Sequence, residues 1–86
     1  MGFVVYILRS LSGHGLYVGH TNNLARRLAQ HNDSCSRSYT AKRGPWELVH
    51  EESHPDRSAA AARERFLKSL GGSHEKNRLA MGRTPG

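Results

Sequence analysis

The sequence predicts an α+β fold: a small three-stranded, mainly antiparallel sheet flanked by helices, in the order ββαβαα. Three observations carry this reading. Gly2 to Ser10 is a near-continuous apolar run rich in β-branched and aromatic residues, the pattern of a central strand buried on both faces. Ser12-Gly13-His14-Gly15 then supplies turn residues before Leu16-Tyr17-Val18-Gly19 resumes the strand pattern, which predicts a hairpin. Two segments, beginning near Thr21 and Pro55, carry helix-favouring residues behind good capping residues.

The first helix is expected over Thr21 to Asn32, with Leu24 and Leu28 on one face. Asp33 to Pro45 is polar and basic without a period and reads as a surface loop. Trp46 to Glu52 follows Pro45 as a third, edge-type strand. Asp56 or Ser58 caps a second helix running through Ala59 to Leu70, and Gly71-Gly72 is expected to end it. Its inward stripe should be Ala60, Arg63 or Glu64, Leu67 and Leu70. A last short helix starts at Ser73 and ends near Met81, giving one domain over residues 1–81 and a C-terminal tail, 82–86, that should fray. Only 36% of the residues are apolar, so the core must rest on few large side chains, chiefly Phe3, Trp46 and Phe66.

Thirteen Lys and Arg against seven Asp and Glu give a net charge of +6 and an expectation of polyanionic partners. Arg26, Arg27, Arg37, Lys42 and Arg43 fall in one segment among Asn, His, Ser and Tyr, side chains that suit a surface tracking a phosphate backbone. Nothing approaches the length of a membrane span, and the run Phe3 to Leu8 is too short for a signal peptide, so no membrane partner and a cytoplasmic location are expected. Cys35 stands alone and is read as incidental. The six histidines give no i,i+4 helix pair and do not predict zinc. With no heptad pattern, a monomer is favoured.

The hairpin brings Tyr6 and Tyr17 into one neighbourhood, where they either serve a site or pack in the core. Arg27 and His31 share a helix face. Arg26, about 100° away, cannot face the same point. His31 could contact a phosphate, orient a tyrosine or cap its helix. Glu64 either pairs with Arg57, Arg63 or Lys68 or offers a hard carboxylate to a metal ion.

Val5-Tyr6-Ile7, then Tyr17-Val18-Gly19, a helix with Asn23-Leu24-Ala25-Arg26-Arg27-Leu28 and His31, and downstream Pro45-Trp46-Glu47-Leu48-Val49, Asp56-Arg57-Ser58, Arg63-Glu64 and Lys68 together resemble the GIY-YIG nuclease superfamily. Within it they are most similar to the small stand-alone, YhbQ-like (UPF0213) branch, from residue 3 to about residue 80. The resemblance implies metal-dependent hydrolysis of phosphodiesters, as an isolated domain or as the cutting module of repair and homing endonucleases. It makes Tyr6, Tyr17, Arg27 and His31 the catalytic set and Glu64 the ligand of one divalent ion, Mg²⁺ or Mn²⁺. Tyr17 is the expected proton acceptor, Tyr6 a positioning group, and Arg27 a bidentate phosphate ligand. His20, standing where several family members have a lysine, and Lys68 are possible auxiliaries. Asn77 is a poor substitute for a late asparagine of larger members. The expected function is an endonuclease of low sequence specificity acting on nucleic acid, DNA more than RNA. The competing readings are a non-catalytic nucleic-acid-binding module and a basic protein-interaction domain.

Overall fold

The computed structural model describes residues 2–32 and 43–81. Its elements are β1 (Phe3–Ser10), β2 (Leu16–Thr21), α1 (Leu24–His31), β3 (Trp46–His54), α2 (Arg57–Lys68) and α3 (Leu70–Met81). The sheet has the order β2-β1-β3, and both pairings are antiparallel. This is the α+β architecture that the pattern of the chain predicts, with β1 in the centre.

The central place of β1 follows from its composition, because a strand covered on both faces needs apolar side chains pointing both ways. Val5 and Ile7 join Val18, Val49, Ala60, Leu67 and Ala80 in a core beneath α2 and α3. Tyr6 and Leu8 face the other way and join Trp46, with Tyr17, Leu24 and Leu28 closing that layer from β2 and α1. The hairpin between β1 and β2 turns through Gly13 and Gly15, whose φ angles of 89° and 86° lie in the left-handed region. The β1–β3 register shifts between Ile7 and Leu8, which pair with His50 and Leu48, so Val49 is accommodated as a bulge and enters the core.

Side chains fix the helix ends. Asn23 caps α1 by accepting from the Arg26 amide (3.1 Å), and Asp56 caps α2 by accepting from that of Ala59 (2.8 Å). Asn32 then ties the end of α1 to the start of β3: its Oδ1 accepts from the Trp46 amide (2.7 Å) and its Nδ2 donates to the Trp46 carbonyl (3.2 Å).

The α2–α3 junction corrects three expectations. Ser69, with extended ψ of 165°, ends α2, so Gly71 and Gly72 lie inside α3. The Ser69 hydroxyl donates to the Phe66 carbonyl (2.6 Å) and accepts from the Gly72 amide (3.1 Å), closing one helix and opening the next. The break turns the chain before Leu70 can continue the inward stripe, and Leu70 is 96% exposed. Phe66 is not core either: it stands beside the buried Leu67, 45% exposed, with the Arg63 guanidinium 5.7 Å from its ring centroid. Small and aliphatic residues of β1, together with Tyr6 and Leu67, do the filling assigned to it. Gly72 is where the helices touch, since a Cβ there would lie 1.8 Å from the Phe66 carbonyl oxygen. Among the described residues no helix is long and apolar enough to cross a membrane. Cys35 and the frayed-tail expectation for 82–86 lie outside the described residues.

Candidate active site

The β1–β2 register sets Tyr6 directly opposite Gly19. The pairing places the Tyr6 phenol where a side chain at residue 19 would be: a Cβ there would lie 2.6 Å from the Tyr6 hydroxyl oxygen and 2.8 Å from its Cζ. The glycine of Tyr17-Val18-Gly19 is thus a matter of space. Through that gap Tyr6 reaches the last residue of α1, and its hydroxyl is 2.9 Å from His31 Nε2. Tyr17 closes the group, its ring 6.4 Å from that of Tyr6 and in an edge contact at 4.8 Å with His31.

The electrostatics of this layer keep both bonded groups neutral. Burial first, then the neighbouring Tyr17, push the Tyr6 phenol well above its usual range, and Arg27 only partly offsets them. Burial and then Arg27 push His31 below the usual histidine value. A neutral phenol thus shares a hydrogen bond with Nε2 of a neutral imidazole. Tyr6, 1% exposed, is buried, whereas Tyr17 on the edge strand is partly exposed.

On the opposite face of β2, Glu64 of α2 meets His20. The His20 Nδ1–H donates to Oε1 (2.5 Å), and Lys68, one turn along α2, donates from Nζ to Oε2 (2.7 Å). Burial alone would raise the Glu64 carboxyl, but the bonds from Lys68 and His20 outweigh it and hold the group below the usual carboxylate range, hence ionised. The Lys68 ammonium is also 5.6 Å from the Tyr17 ring centroid. It links the two layers around the outer edge of β2.

Arg27 lines two contiguous grooves. One, of about 320 Å³, is formed by Thr21, Asn22, Asn23, Arg26, Arg27 and Gln30. The other, of about 230 Å³, is formed by Phe3, His20, Thr21, Asn22, Arg27 and Arg57. Both arginines of α1 reach the first groove, and only Arg27 reaches the second, beside His20. Tyr6, Tyr17 and His31 thus come together directly, as do His20, Glu64 and Lys68. Arg43 is held elsewhere, its carbonyl accepting from Ser10 and Ser12 of the hairpin (2.6 and 3.0 Å). Asn77 is exposed on α3, and Arg37 and Lys42 lie outside the described residues.

A divalent ion can be tested against these donors. Among the described residues no three His, Cys, Asp or Glu side chains converge as a metal cage. Mg²⁺ does not require one, because it commonly takes one or two carboxylates and fills its shell with water and substrate phosphate. Glu64, ionised and 19% exposed, fits that requirement and would hold the ion, its two oxygens being bonded here by His20 and Lys68. The sequence offered Arg57 only as a possible partner of Glu64 and as part of the family motif, and gave Asn22 and Gln30 no role. Their polar character was visible, but only the folded chain aligns the start of α2 with the start of α1.

A family model described as the GIY-YIG catalytic domain matches residues 2–78. A UPF0213 protein of Natronomonas pharaonis is 42% identical over 80 residues, which cover 93% of this chain and 92% of the relative. One from Clostridium perfringens is 42% identical over 66 residues, covering 77% and 70%. The solution NMR structure of a UPF0213 protein from Bacillus halodurans superposes with a TM-score of 0.58 at 29% identity, over 99% of this chain and 89% of that one.

Proposed function

From the premise that the chain belongs to the GIY-YIG nuclease family, among its UPF0213 members, we propose that it is a metal-dependent endonuclease hydrolysing phosphodiester bonds of nucleic acid, DNA in preference to RNA, with low sequence specificity. The observation that supports this most is the gathering of two triads, Tyr6–Tyr17–His31 and His20–Glu64–Lys68, around the edge strand β2.

Hydrolysis of a phosphodiester needs a proton acceptor for the attacking water and positive charge against the five-coordinate transition state. Arg27 presents a planar, permanently charged fork to two phosphate oxygens. Tyr17, as its phenolate, takes the proton from water and becomes the neutral phenol, and the Lys68 ammonium beside its ring offsets the phenolate charge before the proton arrives. Tyr6 and His31 fix the Tyr17 ring by packing and keep their own proton between them. Glu64 would hold the divalent ion, which when bound supplies Lewis acidity at the phosphate. His20 and Lys68 keep Glu64 ionised and aimed at β2.

The test is incubation with end-labelled single- and double-stranded DNA and RNA in Mg²⁺ or Mn²⁺. Glu64→Gln and Arg27→Gln are each expected to lower the cleavage rate by roughly 100-fold or more. Cleavage at the wild-type rate in Glu64→Gln would sink the mechanism. A second reading, binding without turnover, draws support from the occupation of both Glu64 oxygens by nitrogen donors. It predicts salt-dependent binding with no product under any metal condition.

A further inference from the structure

We infer that Arg57 forms a second phosphate subsite, holding the phosphodiester next to the one at Arg27 on the same nucleic-acid strand. The inference rests on the nucleic-acid reading above and adds a residue to it. Arg57 opens α2, Arg27 lies on α1, and both line the groove of about 230 Å³ with Phe3, His20, Thr21 and Asn22. That groove shares Thr21, Asn22 and Arg27 with the larger one, so a continuous polar channel runs from Arg57 past Arg27 to Arg26 and Gln30. No carboxylate lines either part.

The charges in this channel are unpaired among the described residues, whereas Arg9, Arg63, Arg78 and Lys68 elsewhere on the surface are each engaged by a glutamate. Among the described residues Arg26, Arg27 and Arg57 make no ion pair. A phosphate arriving there displaces only water. The Arg57 guanidinium is also pre-positioned, stacked 5.4 Å from the Phe3 ring centroid, which reduces the rotamer freedom lost on binding while leaving its N–H edge available. Asn22, in both grooves, adds an uncharged donor between the two guanidinium groups.

The shape argues for a strand rather than an enclosed ligand. The smaller groove falls below the roughly 300–1,000 Å³ of small-molecule pockets and opens into its neighbour. His20, which lines the same groove as Arg57, also bonds Glu64, which connects the groove to the carboxylate assigned to the metal. A basic channel beside a partly exposed aromatic ring is the usual composition of a site that follows one strand of nucleic acid.

The experiment is fluorescence anisotropy of a labelled single-stranded DNA oligonucleotide across a salt series, in EDTA so that the strand stays intact. Wild type is compared with Arg57→Gln, Arg57→Lys and Arg65→Gln. Arg65 is exposed on the same helix and lines neither groove, so it controls for the loss of one charge. Arg57→Gln is expected to bind roughly tenfold more weakly, with a log–log salt slope shallower by about 0.7, the value for one lost phosphate on a single strand. Arg57→Lys should keep the slope and lose part of the affinity, and Arg65→Gln should match wild type. Equal affinity and slope for Arg57→Gln and Arg65→Gln would overturn the subsite while leaving the nuclease reading intact. Absence of salt-dependent binding in wild type would overturn both. Loss of cleavage in Glu64→Gln with an unchanged salt slope separates the chemistry from the binding.

Discussion

Gly19 is the position where packing and the site meet, and substituting it tests both. A Cβ added there would sit 2.6 Å from the Tyr6 hydroxyl oxygen, 2.8 Å from its Cζ and 3.1 Å from Tyr17 Cε1. Ordinary contact begins at 3.4 Å, so the Tyr6 ring must retreat by about 0.8 Å. It has little room, being 1% exposed and enclosed by Tyr17, His31 and the layer around Trp46. Overpacking of this kind costs about 1–3 kcal/mol, and losing the buried bond to His31 costs about 1 kcal/mol more. Gly19→Ala should therefore destabilise the fold by about 2–4 kcal/mol, which for a chain of this size lowers Tm by roughly 10–25 °C. Circular dichroism melting measures it. The nearest atom is the phenol oxygen, so Tyr6→Phe should cost about 1–2 kcal/mol alone but be close to neutral, or stabilising, in the Gly19→Ala background. Unchanged melting of Gly19→Ala, or strictly additive costs in the double variant, would refute the account of why a glycine faces Tyr6.

Two further outcomes follow from the other layer. Gly72→Ala, whose Cβ would meet only backbone, at 1.8 Å from the Phe66 oxygen and 2.9 Å from Leu67 Cα, should part α2 from α3 and cost more than about 3 kcal/mol. Gly71→Ala, with its nearest neighbour at 3.9 Å, should be neutral or slightly stabilising in denaturant titrations. Glu52, which burial alone would raise, is held at about 2 by bonds from Arg63, His50 and His54, against an ordinary 4.5. Its contribution, roughly 1–2 kcal/mol after allowing for partial solvent exposure, is complete above pH 4.5 and is lost as pH falls towards 2. The stability gap between wild type and Glu52→Gln should accordingly close over that window in chemical unfolding, and a pH-independent gap would count against the assignment.

The sheet was legible because β1 carries apolar side chains at successive positions, which only a doubly covered strand tolerates, and because Gly13 and Gly15 punctuate the hairpin. The helix break was not. Two adjacent glycines read as a stop signal, yet here they serve close approach, while a serine able to bond both its own helix and the next one makes the turn. Leu70 was misplaced for the same reason, since a helical stripe extrapolates only as far as the helix continues, whereas Phe66, placed in the core for its size, falls beside the stripe that Ala60 and Leu67 define. In the site, spacing alone brought the two tyrosines together. The partner of Glu64 across the sheet, His20, and the second groove arginine, Arg57, are separated from their neighbours by 44 and 30 positions in sequence, contacts that periodicity does not encode.

The division of labour between the tyrosines follows from their strands. They lie on the same face, so composition cannot separate them, but Tyr6 stands on the central strand and Tyr17 on an edge. A central strand isolates the two faces of a sheet. Tyr6 is consequently confined to the α1 side, where burial keeps its phenol neutral and its hydroxyl bonds His31. At an edge the faces are continuous around the outside of the strand, and α2, which packs on the far face, can extend Lys68 to the Tyr17 ring while Glu64 remains against His20. A site that needs a carboxylate from one layer and a phenol from the other can therefore assemble at β2 and not at β1. On the proposed mechanism, the triplet on β2 accordingly supplies the chemistry and the glycine that admits Tyr6, and the triplet on β1 supplies the support.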